Sequence, residues 1–313
     1  MTRQILVGNS LGGESDDVMQ AALRIGRGVH APVHVVHAFE PPVPMGPPEE
    51  AWVFQRELEE KLRSELAASL HRQMQRLELA KVDGSSAELK TGNPYRVLEE
   101  TARDENPSLV VVGSAVDGVR MWRALGSTAD RLLRRVPSPV LVVAPGSKFP
   151  PKRVLFAIDF SDVSAGSLRA AGALLKAAGI QPEWQQVVFV LDGIEARSLS
   201  QFTADQVAMF ASERLERFVT EHGHDLGESV HRKVLLGSPR EALLAQIALE
   251  RPDLVVLGTH GRGGLDRLLL GSVAAAVLRV SPCNTLVVPP EAAAKAMAEQ
   301  DRSADWAYVT DHD

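Results

Sequence analysis

Residues 254–273 read Leu-Val-Val-Leu-Gly-Thr-His-Gly-Arg-Gly-Gly-Leu-Asp-Arg-Leu-Leu-Leu-Gly-Ser-Val, and the rest of the chain becomes legible from this stretch. An apolar run of strand length, Leu254 to Leu257, breaks at Gly258. Glycines follow at 261, 263 and 264, and Gly271-Ser272 then opens an apolar, helix-compatible segment. The order is strand, glycine loop, helix start. Glycine lets backbone N–H groups approach an anion with no Cβ in the way, and the unpaired N–H groups of a first helical turn favour phosphate. Ser272 adds a hydroxyl there. No Lys-Ser/Thr pair follows a glycine and no Gly-x-Gly-x-x-Gly opens the helix, so the loop is neither of the two commoner phosphate loops. The competing use of the same glycines is to shape a tight strand-to-helix turn.

Working outward, the second half reads strand Val154 to Ile158, helix Val163 to Ala178 stopped by Gly179, strand Val187 to Leu191 and helix Thr203 to Glu221. Strand Ser229 to Leu236, helix Arg240 to Glu250, strand Leu254 to Leu257, helix Ser272 to Val280 and strand Thr285 to Val288 complete it. The first half carries the same order. Ile5-Leu6-Val7 is a short strand, and Ser15-Asp16-Asp17 caps a helix from Val18 to Arg27. Strand Val33 to Phe39 precedes prolines at 41, 42, 44, 47 and 48, which forbid regular structure, and then a long amphipathic helix from Trp52 to Leu79. Ala87 to Lys90 is an edge strand, and Gly92-Asn93-Pro94 supplies a turn, an N-cap and a first-position proline for the helix Tyr95 to Asp104. Strand Leu109 to Val112, a helix from Gly126-Ser127 through Arg135 and strand Val140 to Val143 close this half.

The halves also match residue by residue at one spacing of 145: 92 with 237, 113 with 258, 126 with 271, and 137 with 282. A constant offset across four landmarks indicates a duplication. Strands alternating with helices imply parallel sheets covered on both faces, so the fold class is α/β, two doubly wound five-stranded parallel-sheet domains in tandem. The expected boundaries are 1–146, 152–290 and an acidic tail over 291–313. The tail opens alanine-rich and holds Glu291, Glu299, Asp301, Asp305, Asp311 and Asp313 against Lys295 and Arg302. It reads as a solvated arm, in which Trp306 and Tyr308 are the residues able to dock.

At 313 residues the chain has room for two cores. A net charge of -6 argues against a nucleic-acid or anionic-membrane surface as the main partner. Its one cysteine, Cys283, excludes an intramolecular disulfide, no apolar run approaches a membrane span, and no signal-peptide pattern precedes the first strand. The expected location is cytoplasmic.

The spacing Gly258-x2-Gly261-x9-Gly271-Ser272 resembles the nucleotide-binding signature of the universal stress protein family, matching all four fixed positions. The resemblance covers both halves. It implies a Rossmann-like fold of the adenine nucleotide alpha hydrolase type, with ATP held where the first and fourth strands of a half diverge, the place where ligands of open α/β sheets bind. Ala157-Ile158-Asp159 looks like the family's strand-end motif, and Asp159 matches the aspartate that contacts the nucleoside. A carboxylate suits ribose hydroxyls because it accepts two hydrogen bonds, and its bland alternative is to cap the next helix. Val190 matches the position that meets adenine through its backbone. Leu257, Gly258, His260, Gly261, Gly271, Ser272 and Val273 match the remaining contacts, and Arg262 stands where it can pair with phosphate charge. The implied cofactor is ATP, with Mg²⁺ as its companion ion.

The first half departs at two points: Ser10 stands where Asp159 does, and Val116 replaces the second loop glycine, where a β-branched side chain disfavours positive φ and blocks close approach. No catalytic constellation or metal-ligand spacing accompanies the site. His34 and His37, three apart on a strand, point to opposite faces, and His222-x-His224 lies in a loop. The expected function is therefore an ATP-binding stress-response sensor or regulator with one nucleotide, in the second half. A slow ATP hydrolase and a nucleotide-free partner-binding module are the alternatives. The expected assembly pairs the last strands of the two halves within one chain, with a homodimer suggested by analogy.

Overall fold

The computed structural model describes residues 4–41, 48–114, 127–193, 201–227, 229–259 and 270–309. The first half runs β1 (Ile5–Gly8), α1 (Ser15–Val29), β2 (Val33–Phe39), α2 (Pro48–Arg76), β3 (Ser86–Thr91), α3 (Pro94–Glu105), β4 (Leu109–Gly113), α4 (Ser127–Leu132) and β5 (Val140–Val143). The second runs β6 (Arg153–Ile158), α5 (Asp162–Ala177), β7 (Trp184–Leu191), α6 (Ala204–His222), β8 (Val230–Leu236), α7 (Pro239–Glu250), β9 (Leu254–Gly258), α8 (Ser272–Val280) and β10 (Asn284–Val288). A final helix, α9 (Pro290–Val309), follows.

Each half is parallel throughout, because every strand returns through a helix laid on one face of the sheet. Ten strands form one sheet in the order β3-β2-β1-β4-β5-β10-β9-β6-β7-β8, the halves joining where β10 runs antiparallel to β5 with Leu286 opposite Leu141. The inner strands β1, β4, β6 and β9 are apolar on both faces and almost fully buried, as the continuous Val/Ile/Leu runs require. Two core layers result, one on each face, and each runs across the junction of the halves.

The duplication is preserved in register. Ile5 lies opposite Leu109 and Val154 opposite Leu254; His34 lies opposite Ser86 and Gln186 opposite His231; Val110 pairs with Val140 and Val255 with Thr285. Insertions between the copies therefore fall in connections, since a one-residue slip within a strand would turn its core side chains to the wrong face.

Local chemistry corrects the reading of the sequence in four places. Helix α1 begins at Ser15 behind Glu14, with no side-chain cap; the Ser15 hydroxyl instead donates to Gly12 O at 2.6 Å. Helix α2 starts at Pro48, because a first-turn proline loses no intrahelical bond, and it ends at Arg76 before the left-handed Glu78 (φ 56°) and a short 3-10 turn, Leu79–Lys81. His222 is the last residue of α6 rather than part of a loop. The tail is not a free arm where it leaves the sheet: α9 docks on α5 so closely that a Cβ on Gly166 would lie 2.4 Å from Ala293 O. Asn93, by contrast, caps α3 as its sequence implies, accepting from Tyr95 N at 3.2 Å.

Candidate functional site

The strand order reverses direction between β1 and β4 in the first half and between β6 and β9 in the second, and such switch points leave a crevice at the carboxyl ends of the strands. The two crevices differ. The β1–β4 ladder continues to Gly8 opposite Val112, whereas the β6–β9 ladder stops one step earlier, at Phe156 opposite Val256. Ala157 and Ile158 on one side, and Leu257 and Gly258 on the other, lie past the last pair.

Phe160, just after β6, has a φ of 60°, a left-handed conformation that costs a non-glycine residue about 1–3 kcal/mol. Its ring is held in place: the centroids of Phe189 and Phe218 lie 4.3 and 5.3 Å away, and the Arg214 guanidinium lies over it at 4.2 Å. This turn carries half-buried Asp159 past the end of the sheet. Asp159 Oδ1 accepts from Ser161 N at 3.1 Å and from the Ser161 hydroxyl at 2.6 Å, and Ser161 Oγ accepts from Ser164 N at 3.2 Å. Ser161 is thus the cap of α5, and Asp159 orients the cap rather than serving as it.

Across the crevice, Thr259 N donates to Val288 O at 3.1 Å, and Thr259 O accepts from Gly271 N at 2.7 Å. The two feet of the 260–269 segment are tied together by that second bond. Gly271, with φ -56° and ψ 148°, is the N-cap of α8 and brings no side chain to satisfy the first-turn N–H groups. The helix therefore opens with its positive dipole end, and among the described residues no side chain caps its first-turn N–H groups, beside exposed Ser272 and half-buried Val273.

The structure brings Ala157, Ile158, Asp159, Leu257 and Gly258 to one end of the sheet, with Val190 near the end of β7 and Gly271, Ser272 and Val273 at the start of α8. His260, Gly261 and Arg262, as well as Val116 and Gly126 of the first half, lie outside the described residues. Two features escaped sequence reasoning: the Thr259–Gly271 tie and the aromatic grip on Phe160. The second had a signal in the repeat, since Phe160, Phe189 and Phe218 stand where the first half has Leu11, His37 and Gln73.

In the first half those positions form a different turn end. Leu11 has the same φ, 59°. Asn9 Nδ2 donates to Gln73 Oε1 at 2.7 Å, Gln73 Nε2 donates to Ser15 Oγ and Asp16 Oδ1, each at 2.8 Å, and His37 Nδ1 donates to Asn9 O at 2.7 Å. Ser10, where Asp159 would be, is exposed and accepts only from Gly12 N, at 3.3 Å, among the bonds found there.

The family model of the universal stress protein family matches this chain twice, at residues 1–144 and 150–289. The chain belongs to the universal stress protein family. A universal stress protein of Mycobacterium tuberculosis is 31% identical over 212 residues, covering 64% of this chain and 68% of that one. Another, of Methanocaldococcus jannaschii, is 30% identical over 142 residues, covering 44% of this chain and 81% of that one. Among solved structures, a universal stress protein from Archaeoglobus fulgidus covers 91% of this chain and 98% of its own, with a TM-score of 0.59 and 21% identity. A functionally unknown protein from Pseudomonas aeruginosa covers 96% and 98%, with a TM-score of 0.63 and 19% identity. These last two likenesses concern the fold over nearly the whole chain. Within this universal stress protein, each family match contains one of the two switch points.

Proposed function

We propose that this universal stress protein binds an adenine nucleotide, ATP, in its second half and acts as a sensor or regulator in the stress response, not primarily as an enzyme. The observation that carries the reading is the early parting of β6 and β9 beside an uncapped α8, with Asp159 at the same end of the sheet. Asp159 would accept from the ribose hydroxyls, and the backbone at Val190 would face adenine. Gly258, His260, Gly261, Arg262, Gly271, Ser272 and Val273 would surround the phosphates, with Ala157, Ile158 and Leu257 as the wall. Uncapped N–H groups at a helix start favour an anion, and glycines admit it closely. The first half, whose corresponding turn carries the Asn9–Gln73 hydrogen bond in place of a carboxylate, acts as the built-in partner through β5.

One nucleotide per chain is therefore expected. Calorimetric titration of nucleotide-free protein with ATP, with and without Mg²⁺, measures it directly. Two equivalent sites would refute the asymmetry, and no binding would leave the partner-binding module as the reading. Phosphate release at enzymatic rates would replace the regulator by the hydrolase.

A further inference from the structure

We propose that two copies of this chain pair through β3, edge to edge and antiparallel, about a two-fold axis at Leu89. β3 and β8 end the ten-stranded sheet, so each leaves one row of backbone groups with no strand beside it. Gly92 N donates to Phe39 O at 2.9 Å, which fixes the alternation along β3. The N–H and C=O groups of Ser86, Glu88 and Lys90 face β2, and those of Ala87, Leu89 and Thr91 face outward. In an antiparallel pair centred on Leu89, the two Leu89 residues exchange both of their backbone bonds, and Ala87 of each chain does the same with Thr91 of the other.

Charge selects this register. Glu88 and Lys90 stand on the α3 side of β3, where Lys90 Nζ lies 2.8 Å from Glu88 Oε1 and 2.9 Å from Thr101 Oγ1. With the axis at Leu89, each Glu88 comes opposite the other chain's Lys90, and the four charges alternate in sign. The neighbouring registers that keep the backbone bonds set Glu88 against Glu88 or Lys90 against Lys90, and like charges directly opposite are destabilising. On the other face the edge is apolar and open. Ala87 and Leu89 border a cavity of about 420 Å³ whose far wall is α2, with Ala67 on its rim and Leu70 and Met74 at its floor. The pairing sets the second chain's Leu89 beside the mouth of that cavity.

The duplicate half shows the same edge closed. Arg232 of β8 stands in register with Ala87, and Glu216 of α6 with His71 of α2. Arg232 Nε lies 2.8 Å from Glu216 Oε2, so an ion pair spans the space that is open in the first half. β8 carries His231, Arg232 and Lys233 and no acidic residue, so no register of β8 with its own copy sets a carboxylate against those charges. A contact of β3 with β8 would leave a free edge on each chain and run on as a filament, whereas β3 with β3 closes at two chains.

The test is sedimentation velocity on the full chain, over a concentration series reaching the high micromolar range. The wild type should show a monomer–dimer equilibrium. Glu88→Lys sets like charges opposite one another and should raise the dissociation constant of the dimer at least about tenfold. Adding Lys90→Glu reverses the pair and should restore the dimer. Glu88→Lys also removes the contact with His34 Nε2 at 2.9 Å, which the double variant does not return, so recovery isolates charge complementarity. Ala87→Pro deletes an outward N–H and no bond of the β2–β3 ladder, and should weaken the dimer with circular dichroism unchanged. A wild type that stays monomeric would overturn the pairing, as would a dimer indifferent to Glu88→Lys or to Ala87→Pro. A dimer lost equally in the single and the double charge variants would also overturn it, and so would polymers that lengthen with concentration.

Discussion

The ends of β1 and β6 have one backbone and two chemistries. Leu11 and Phe160 share a left-handed φ within a degree, yet behind the first lie Asn9, His37 and Gln73 in a buried hydrogen-bond network, and behind the second Phe189 and Phe218 as an aromatic stack. A polar network of this kind turns its donors and acceptors on one another, whereas an aromatic stack holds the turn with its faces and leaves the polar atoms to the turn itself. The same division recurs at the other end of the sheet, where Lys233 and Arg153 of the second half answer Glu88 and Gln4 of the first. Duplication kept the register and let the charges part.

The strongest way to break this comparison is to give the second half the first half's residues at the crevice. Gly261→Val copies Val116 and should abolish ATP binding in a folded protein, because the added side chain intrudes where the backbone must approach phosphate. Asp159→Ser copies Ser10 and should weaken binding about tenfold, about 1.4 kcal/mol, by removing the ribose acceptor. Calorimetry on both variants reads the effect, and undiminished affinity in Gly261→Val would remove the assigned cradle.

A second substitution exchanges the supports of the turn. Phe218→Gln copies Gln73, removes a side chain only 8% exposed, and leaves an amide among rings; a loss of about 3 kcal/mol by urea unfolding is expected. Adding Ile158→Asn, which copies Asn9, offers that amide its partner. The double variant should then be more stable than the sum of the single losses by about 1 kcal/mol. Strict additivity would mean that the two turn ends superpose in backbone but not in side-chain reach.

Much of this was legible beforehand. Buried parallel strands must be apolar on both faces, so Leu254–Leu257 and Leu109–Val112 announced themselves, and the constant offset exposed the repeat. The placement of Asp159 just past β6 and of Gly271 at the start of α8 followed from the strand-end and glycine-loop patterns, because a motif sets local geometry. What stayed hidden depends on residues far apart in sequence. The tail gave only a helix-prone composition, while its docking relies on Gly166, whose missing Cβ admits Ala293. His34 was read against His37, its strand neighbour, when its partners lie on β3 and α3. Ser15 was assigned a cap because its type favours one, but Gln73, arriving from α2, makes it a relay.

The smallest effect separates the halves by pH. His222, at the end of α6, sits edge-on to Phe218 with ring centroids 4.6 Å apart, and its Nδ1 accepts from Arg169 Nη2 at 2.9 Å. Burial first, and then the Arg169 charge, hold its pKa below the ordinary histidine value, with Glu221 opposing weakly. The first half has Leu77 at this position, which does not titrate. Because the unfolded chain takes up the proton more readily than the folded one, stability from this group is fully present above about pH 6.5 and declines as pH falls toward the lower folded value. The loss is bounded by the shift, at about 1.36 kcal/mol per pKa unit. His222→Leu should flatten that part of the profile. Thermal unfolding at pH 7.5 and 5.5 tests it through a difference of differences, the wild type losing more on acidification than the variant. An equal loss in both would mean that His222 is as easily protonated in the fold as out of it, and that Arg169 does not press on the ring.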